Sequence, residues 1–255
     1  MLNLNQGYHP YGGCESECMK VSIVICAYNE EATILQVLER VHAVRFPPNW
    51  EREVIVVDNA STDDTPALLR MVDYEDTQII FQPRNMGKGT SIRTAIPYCT
   101  GDYAFIQDAD LEYDPKDYPL FLSRAEEDRP AAIFGSRTLG GRAIYEYAAN
   151  YWGVRFLTGL TNVLYGAHLT DVATASKMVR TDVLKKLKLK GRGFDLDFEL
   201  PAKLLRAGYE IVEVPIHYDP RTIEEGKKIR PWDGLWALRV IIRDRLIPLN
   251  AVVKS

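Results

Sequence analysis

Short, almost unbroken apolar runs alternate along the chain with longer stretches in which apolar residues recur every three or four positions. Residues 21–26 (Val-Ser-Ile-Val-Ile-Cys) read as a fully buried strand, and within 30–44 Ile34, Leu35, Val37, Leu38 and Val41 keep a helical spacing. A second strand follows at 53–58. Residues 61–66 (Ser-Thr-Asp-Asp-Thr-Pro) then offer hydroxyls and carboxylates to cap a helix over 67–72. A short strand at 78–81, a glycine-led helix at 87–96 and a strand at 103–107 complete the first half. The second half is less regular. It reads as a strand at 131–135, an aromatic-rich helix at 147–165, a short strand at 177–180, a helix at 194–207 stopped by Gly208, a strand at 210–216 and a last helix at 231–247. Strand–helix alternation implies right-handed crossovers, so the fold expected is α/β: a central, mostly parallel mixed sheet with helices on both faces.

Composition narrows this picture. No Pro/Gly/Ser-rich linker divides the 255 residues, which places a single domain over 20–230, after a loose tail at 1–19 and before a C-terminal amphipathic helix and tail at 231–255. A net charge of −4 leaves no domain-wide basic field, so nucleic acid is not an expected partner. Cys26 and Cys99 sit in or beside apolar runs without a signal peptide ahead of them, and reduced thiols in the cytoplasm are expected. Cys14 and Cys18 lack a second Cys/His pair to complete a metal site. No apolar run reaches the length of a membrane span.

Ligands of parallel sheets bind at the carboxyl ends of the strands, and polar clusters fall at those places here. They are Ala27-Tyr28-Asn29-Glu30, Asp58-Asn59, residues 84–89 (Arg-Asn-Met-Gly-Lys-Gly) and Asp108-Ala109-Asp110. GxGxxG follows none of the strands, which disfavours a nicotinamide enzyme. Asp108, Asp110 and Glu112 alternate with Ala109 and Leu111, so a near-extended backbone would project three carboxylates from one side. Such acids repel one another unless a cation joins them, and Mg²⁺ favours a few carboxylate oxygens together with substrate phosphates. An acidic turn before a helix opened by Asp114-Pro115 is the competing reading, and the triplet alone leaves both open.

Taken in order, these clusters resemble the family-2 glycosyltransferases of the Rossmann-like GT-A fold. Within them they resemble the polyprenyl-phosphate sugar transferases typified by dolichol-phosphate mannose and glucose synthases. The resemblance runs from about 20 to 246 and rests on Val-Ile-Cys-Ala-Tyr-Asn-Glu (24–30), Val-Val-Asp-Asn-Ala-Ser-Thr-Asp (56–63), residues 84–89 and the DxD at 108–110. Phe-Gly-Ser-Arg (134–137), Val-Pro-Ile-His-Tyr-Asp-Pro-Arg (214–221) and Glu-Glu-Gly-Lys-Lys-Ile (224–229) complete it. Cys26 stands where the family usually has proline, and Glu112 where related enzymes often have glutamine.

The resemblance implies that Ala27, Tyr28, Glu30, Asp58, Asn59 and Lys88 hold a UDP- or GDP-sugar together with Asp108, Ala109 and Asp110. Asp108, Asp110 and Glu112 would take Mg²⁺ or Mn²⁺. Arg137, Arg221 and Lys227 would grip acceptor or donor phosphates, with the arginine fork suited to that task. A phosphate acceptor is already ionised and attacks the anomeric carbon without a general base. Asp195, Asp197 and Glu199 are therefore orienting residues, a base for a hydroxyl acceptor, or a solvated first turn of a helix, with Asp197 the one favoured for function. Asp110, Asp197 and Arg137 form the expected catalytic set. In the last helix Trp232, Leu235, Trp236, Leu238, Ile242 and Leu246 lie among Arg239, Arg243 and Arg245, a pattern that fits either an interfacial membrane helix or a face packed on the domain. The activity implied is inverting hexosyl transfer to a polyprenyl phosphate at the cytoplasmic membrane face. A soluble or glycan hydroxyl acceptor and a non-catalytic sugar-nucleotide binder are the rivals.

Overall fold

The computed structural model describes residues 18–139, 148–220 and 231–254. Strand β1 (Met19–Ala27) and strand β2 (Trp50–Asp58) start ahead of their apolar runs, because backbone pairing carries them on: Met19 pairs with Trp50 and Lys20 with Glu51. Met19 therefore belongs to β1, and residues 1–17, Cys14 included, lie outside the described residues. Between the two strands, α1 (Ile34–Ala43) buries Ile34, Val37, Leu38 and Val41 of the predicted stripe, whereas Leu35 is exposed. The chain continues through α2 (Thr65–Leu69), β3 (Thr77–Phe81), α3 (Lys88–Ala95), β4 (Tyr103–Asp108), α4 (Tyr118–Asp128) and β5 (Ala132–Ser136). It is followed by α5 (Ala148–Tyr165), β6 (Lys177–Arg180), α6 (Thr181–Lys186), α7 (Leu196–Arg206), β7 (Ile211–Pro215) and α8 (Pro231–Leu246).

The strands form one seven-stranded sheet in the order β3-β2-β1-β4-β6-β5-β7. Every pairing is parallel except those of β6, which runs against both β4 and β5. Alternate residues of the central strands feed two cores. Val24, Ile55 and Ile106 join one, with side chains of α3, α6, α7 and α8, and Ile25, Val56 and Phe105 join the other, with α1 and α4. Gly208 ends α7 in the left-handed region (φ 85°), as the sequence signals. Ala237 and Ile241 of α8 are wholly buried, and the Tyr165 hydroxyl donates to the Ile241 carbonyl at 2.8 Å. One face of α8 is thus part of the domain, while Leu235, Trp236, Ile242 and Leu246 remain exposed.

At the amino end of the sheet Glu53 joins β1, β2 and the turn before β4. Its carboxylate accepts from the Ser22 hydroxyl and from the Thr100 amide and hydroxyl, and it pairs with Lys20 at 2.7 Å. Burial alone would raise its pKa, but these donors outweigh it and draw the group down from 4.5 to about 2. A carboxylate with a depressed folded pKa stabilises the fold above its unfolded pKa, and that contribution fades as pH falls from 4.5 towards 2. Glu53→Gln should therefore lower the urea midpoint at pH 7 by an amount equivalent to roughly 1–3 kcal/mol, and the gap between mutant and parent should close on acidification through that window.

Candidate active site

The three central strands end level with one another: Ala27 pairs with Asp58, and Cys26 with Asp108. Because β6 runs in the opposite sense, its first residue, Lys177, stands beside Ile106 near the same edge. The segments leaving this edge enclose a cleft of about 280 Å³. Ala27, Tyr28, Glu30 and Asn59 line one part of it, and Lys88, Asp108, Ala109, Asp110 and Glu112 another. Arg137, Asp197 and Tyr218 also face it. Asp58 does not. It is 2% exposed, and its carboxylate accepts the Ser61 amide at 3.3 Å, which shapes the turn that presents Asn59. Arg221 and Lys227 lie outside the described residues.

Local chemistry explains how these loops are held. Asn59 accepts from the Met86 amide at 2.8 Å and donates to Asn85 at 3.0 Å, joining the loops after β2 and β3. The Thr33 hydroxyl reaches the Ala109 carbonyl at 2.7 Å and ties the start of α1 to the DxD loop. Gly87 adopts φ 85°, and a Cβ at Gly89 would sit 2.8 Å from the Gly191 carbonyl and 2.9 Å from that of Gly193. Glycine at these positions lets the first turn of α3 press against residues 191–193.

The acidic loop departs from the expected geometry. Leu111 is left-handed at φ 63°, so the backbone does not stay extended and the even alternation of three acids is broken. The Glu112 amide donates to Asp110 at 3.2 Å, and the Glu112 carboxylate accepts from the Tyr218 hydroxyl at 3.1 Å. Among the described residues no group of three or more Asp, Glu, His or Cys side chains is arranged to hold a metal ion. Two carboxylates flanking Ala109 are what the loop offers in place of a three-acid cage.

Basic side chains compensate these acids. Lys88 Nζ lies 2.7 Å from Asp108 Oδ1 and 3.4 Å from Asp197 Oδ2. On the far side of Asp197 stands Lys177, wholly buried, with its Nζ 3.7 Å from Asp197 Oδ1. Burial pulls the Lys177 ammonium down to about 8, against the opposing pull of Asp197. Arg137 is held by a two-pronged bond to Asp171, Nε to Oδ2 at 2.6 Å and Nη2 to Oδ1 at 2.8 Å, with its guanidinium 5.0 Å from the Tyr218 ring centre. Burial would raise Asp171, but Arg137 dominates and holds it below the usual carboxylate range. Glu213 of β7 fixes Asp171 in turn by accepting its amide at 2.9 Å.

Of the three acids around the start of α7, only Asp197 faces the cleft. Asp195 accepts the Gly193 amide at 2.7 Å. Glu199 is wholly buried, accepts the Lys190 and Gly191 amides at 2.9 and 2.6 Å, and pairs with Lys203 at 2.7 Å. It is a clamp on the 190–193 loop, not part of a solvated first turn. Lys177, Asp171 and Glu213 escaped the sequence reading. A lysine preceding the apolar pair Met178-Val179 was the available signal for Lys177, whereas residues 166–176 have no period that singles out Asp171.

Residues 22–188 match glycosyl transferase family 2, and the chain belongs to that family. It is 28% identical over 228 residues to the low-salt glycan biosynthesis hexosyltransferase of Haloferax volcanii, covering 87% of this chain and 53% of the relative. It is also 28% identical over 180 residues to the dodecaprenyl-phosphate galacturonate synthase of Rhizobium johnstonii, covering 69% of this chain and 52% of that protein. The chain thus spans about half the length of these curated relatives. Its fold is shared with glucosyl-3-phosphoglycerate synthase of Mycobacterium tuberculosis, crystallised with Mn²⁺, UDP and phosphoglyceric acid, at a TM-score of 0.67 and 19% identity over 90% of this chain and 80% of that one. The architecture is accordingly that of the GT-A glycosyltransferases.

The Arg137–Asp171 pair yields a direct test. Asp171→Ala leaves a buried guanidinium uncompensated and should destabilise the fold by about 3–5 kcal/mol in urea unfolding.

Proposed function

We propose that this chain is the catalytic unit of an inverting hexosyltransferase that moves a sugar from a nucleoside diphosphate to a polyprenyl phosphate. The observation that carries the reading is the gathering of Asp108, Asp110, Lys88 and Arg137 around one cleft at the carboxyl edge of the sheet. Aromatic and polar groups at Tyr28, Glu30 and Asn59 suit a nucleoside, whose base can stack and whose hydroxyls can donate. The relative named as a dodecaprenyl-phosphate galacturonate synthase supports the acceptor, and the neighbour crystallised with UDP supports the donor.

A divalent ion fits the donor set. Burial together with Asp110 and Asp197 raises the Asp108 carboxyl despite the pull of Lys88, so the loop carries negative charge that a cation would relieve. Asp108 and Asp110 would hold Mg²⁺ or Mn²⁺, with donor phosphates completing its shell, and Glu112 is not needed as a third ligand. When bound, the ion supplies Lewis-acid neutralisation of the leaving diphosphate. The protein's own part is positioning: Arg137, fixed by Asp171, presents a guanidinium towards an ionised phosphate, which attacks without a base. Asp197 has both oxygens directed at lysines, and this favours a phosphate acceptor over a hydroxyl that would need deprotonation.

Contact with the membrane surface is part of the proposal. Among the described residues no helix is long and apolar enough to cross a membrane. Trp152 and Phe156 of α5 and Leu235, Trp236 and Leu246 of α8 are nonetheless exposed, with Arg155, Arg239 and Arg245 exposed on the same two helices. Apolar anchors beside cations suit an anionic interface. Joint replacement of Leu235, Trp236 and Leu246 by serine should leave the melting temperature unchanged and weaken co-sedimentation with anionic liposomes at least about five-fold. Unchanged sedimentation removes the membrane contact.

The activity is tested by incubating the chain with UDP- and GDP-sugars, Mg²⁺ or Mn²⁺, and a polyprenyl phosphate. One donor should be consumed with formation of a lipid-linked sugar. Asp110→Asn should abolish this at an unchanged melting temperature. Arg137→Lys should depress transfer far more than slow donor hydrolysis, since water needs no phosphate grip. Glycosylation of a soluble hydroxyl acceptor with no use of polyprenyl phosphates would overturn the acceptor assignment.

A further inference from the structure

Four charges alternate in sign from the interior of the sheet to the cleft: Lys177 on β6, Asp197 on α7, Lys88 on α3 and Asp108 at the end of β4. The successive closest N–O separations are 3.7, 3.4 and 2.7 Å. Only the innermost member, Lys177, is shut away from the cleft. Its ammonium donates to the Thr174 carbonyl and lies 5.2 Å from the Phe134 ring centre. Asp197 Oδ1, which faces it, is buried and has no hydrogen-bond partner among the described residues. An apolar side chain would fill this position on β6 at a smaller desolvation cost, and an ion pair this deep adds little stability of its own. The pair therefore calls for an explanation outside stability.

We propose that Lys177 is a positioning residue that, by fixing Asp197, holds the Lys88 ammonium in place to receive the phosphates of a nucleoside diphosphate. This deepens the donor reading above and rests on it. Lys88 sits at the end of a flexible four-carbon stem, and an unanchored ammonium there would sample many rotamers at an entropic cost to each ligand bound. Asp108 holds it from the cleft side, where entering phosphates compete for the same ammonium. Asp197 holds it from the α7 side, and Lys177, shut away from the cleft, keeps Asp197 from turning both oxygens to Lys88. Lys88 is thereby pre-placed, with its remaining donor capacity directed into the cleft.

The test compares binding of UDP and GDP with binding of uridine and guanosine, by titration calorimetry on the full chain. Lys177→Met should weaken binding of the preferred diphosphate about ten-fold, leave its nucleoside within about two-fold, and be largely restored in Lys177→Arg. Lys88→Met should show the same loss, and the Lys88→Met/Lys177→Met double variant no further loss, because Lys177 acts through Lys88. If Lys177→Met alone fails to fold, Lys177→Met/Asp197→Asn removes both buried charges together and should reproduce the diphosphate-specific loss. Additive losses, equal loss of nucleoside and diphosphate, or parental diphosphate affinity in the charge-free pair would overturn the inference while leaving the donor reading intact. Failure of the unmodified chain to bind either diphosphate overturns the donor reading and this inference with it.

Discussion

β1 is paired in parallel with a neighbour on each side, and this register is the constraint on which the site depends. Nine consecutive pairs with β2 and six with β4 bring Ala27, Asp58 and Asp108 to one level. A slip of one residue would exchange the two faces of the strand and carry Val24 out of one core and Ile25 out of the other. The apolar alternation therefore fixes where the polar ends fall. Carboxylates and lysines that no core would accept are gathered at the edge by the packing of residues that never touch a ligand.

The second constraint is electrostatic. Charge collected at the end of a sheet is poorly solvated, and the fold answers three of these acids with a specific side-chain donor. Asp108 meets Lys88, Asp171 meets Arg137, and Glu112 meets the Tyr218 hydroxyl. Pairing of this kind adds little net stability, but it fixes side chains that would otherwise move freely. Arg137 illustrates the effect, since both prongs of its fork on Asp171 set the plane of the guanidinium before any ligand arrives.

Most of the architecture was legible in the sequence because it rests on local periodicity and on apolar runs bounded by turn residues. The antiparallel sense of β6 was not. Residues 177–180 are too short to reveal direction, and only their pairing with Tyr103–Ile106 and with β5 sets it. The polar residues at the ends of β1, β2 and β4 were legible for the same reason as the strands, whereas their partnerships were not. The resemblance implies a nucleoside-binding role for Asp58, and what the sequence did not show is that its carboxylate accepts the Ser61 amide of the turn that follows. Leu111 shows the limit most clearly, for nothing in an alternating acid–apolar pattern announces that a leucine will take a left-handed conformation. Glu199 looked like a solvated helix start, and only the return of the 190–193 loop over α7 buries it.

Glu199 has one more partner. Arg243 of α8 lies 3.3 Å from the carboxylate that also holds the Lys190 and Gly191 amides. Residues 191–193 in turn rest against the glycines that open α3, where Lys88 begins. Helix α8 and the loop beside the cleft thus share Glu199 as a common partner. Lys203 grips the same carboxylate at 2.7 Å, so α7, α8 and the loop that packs against α3 all converge on one buried charge.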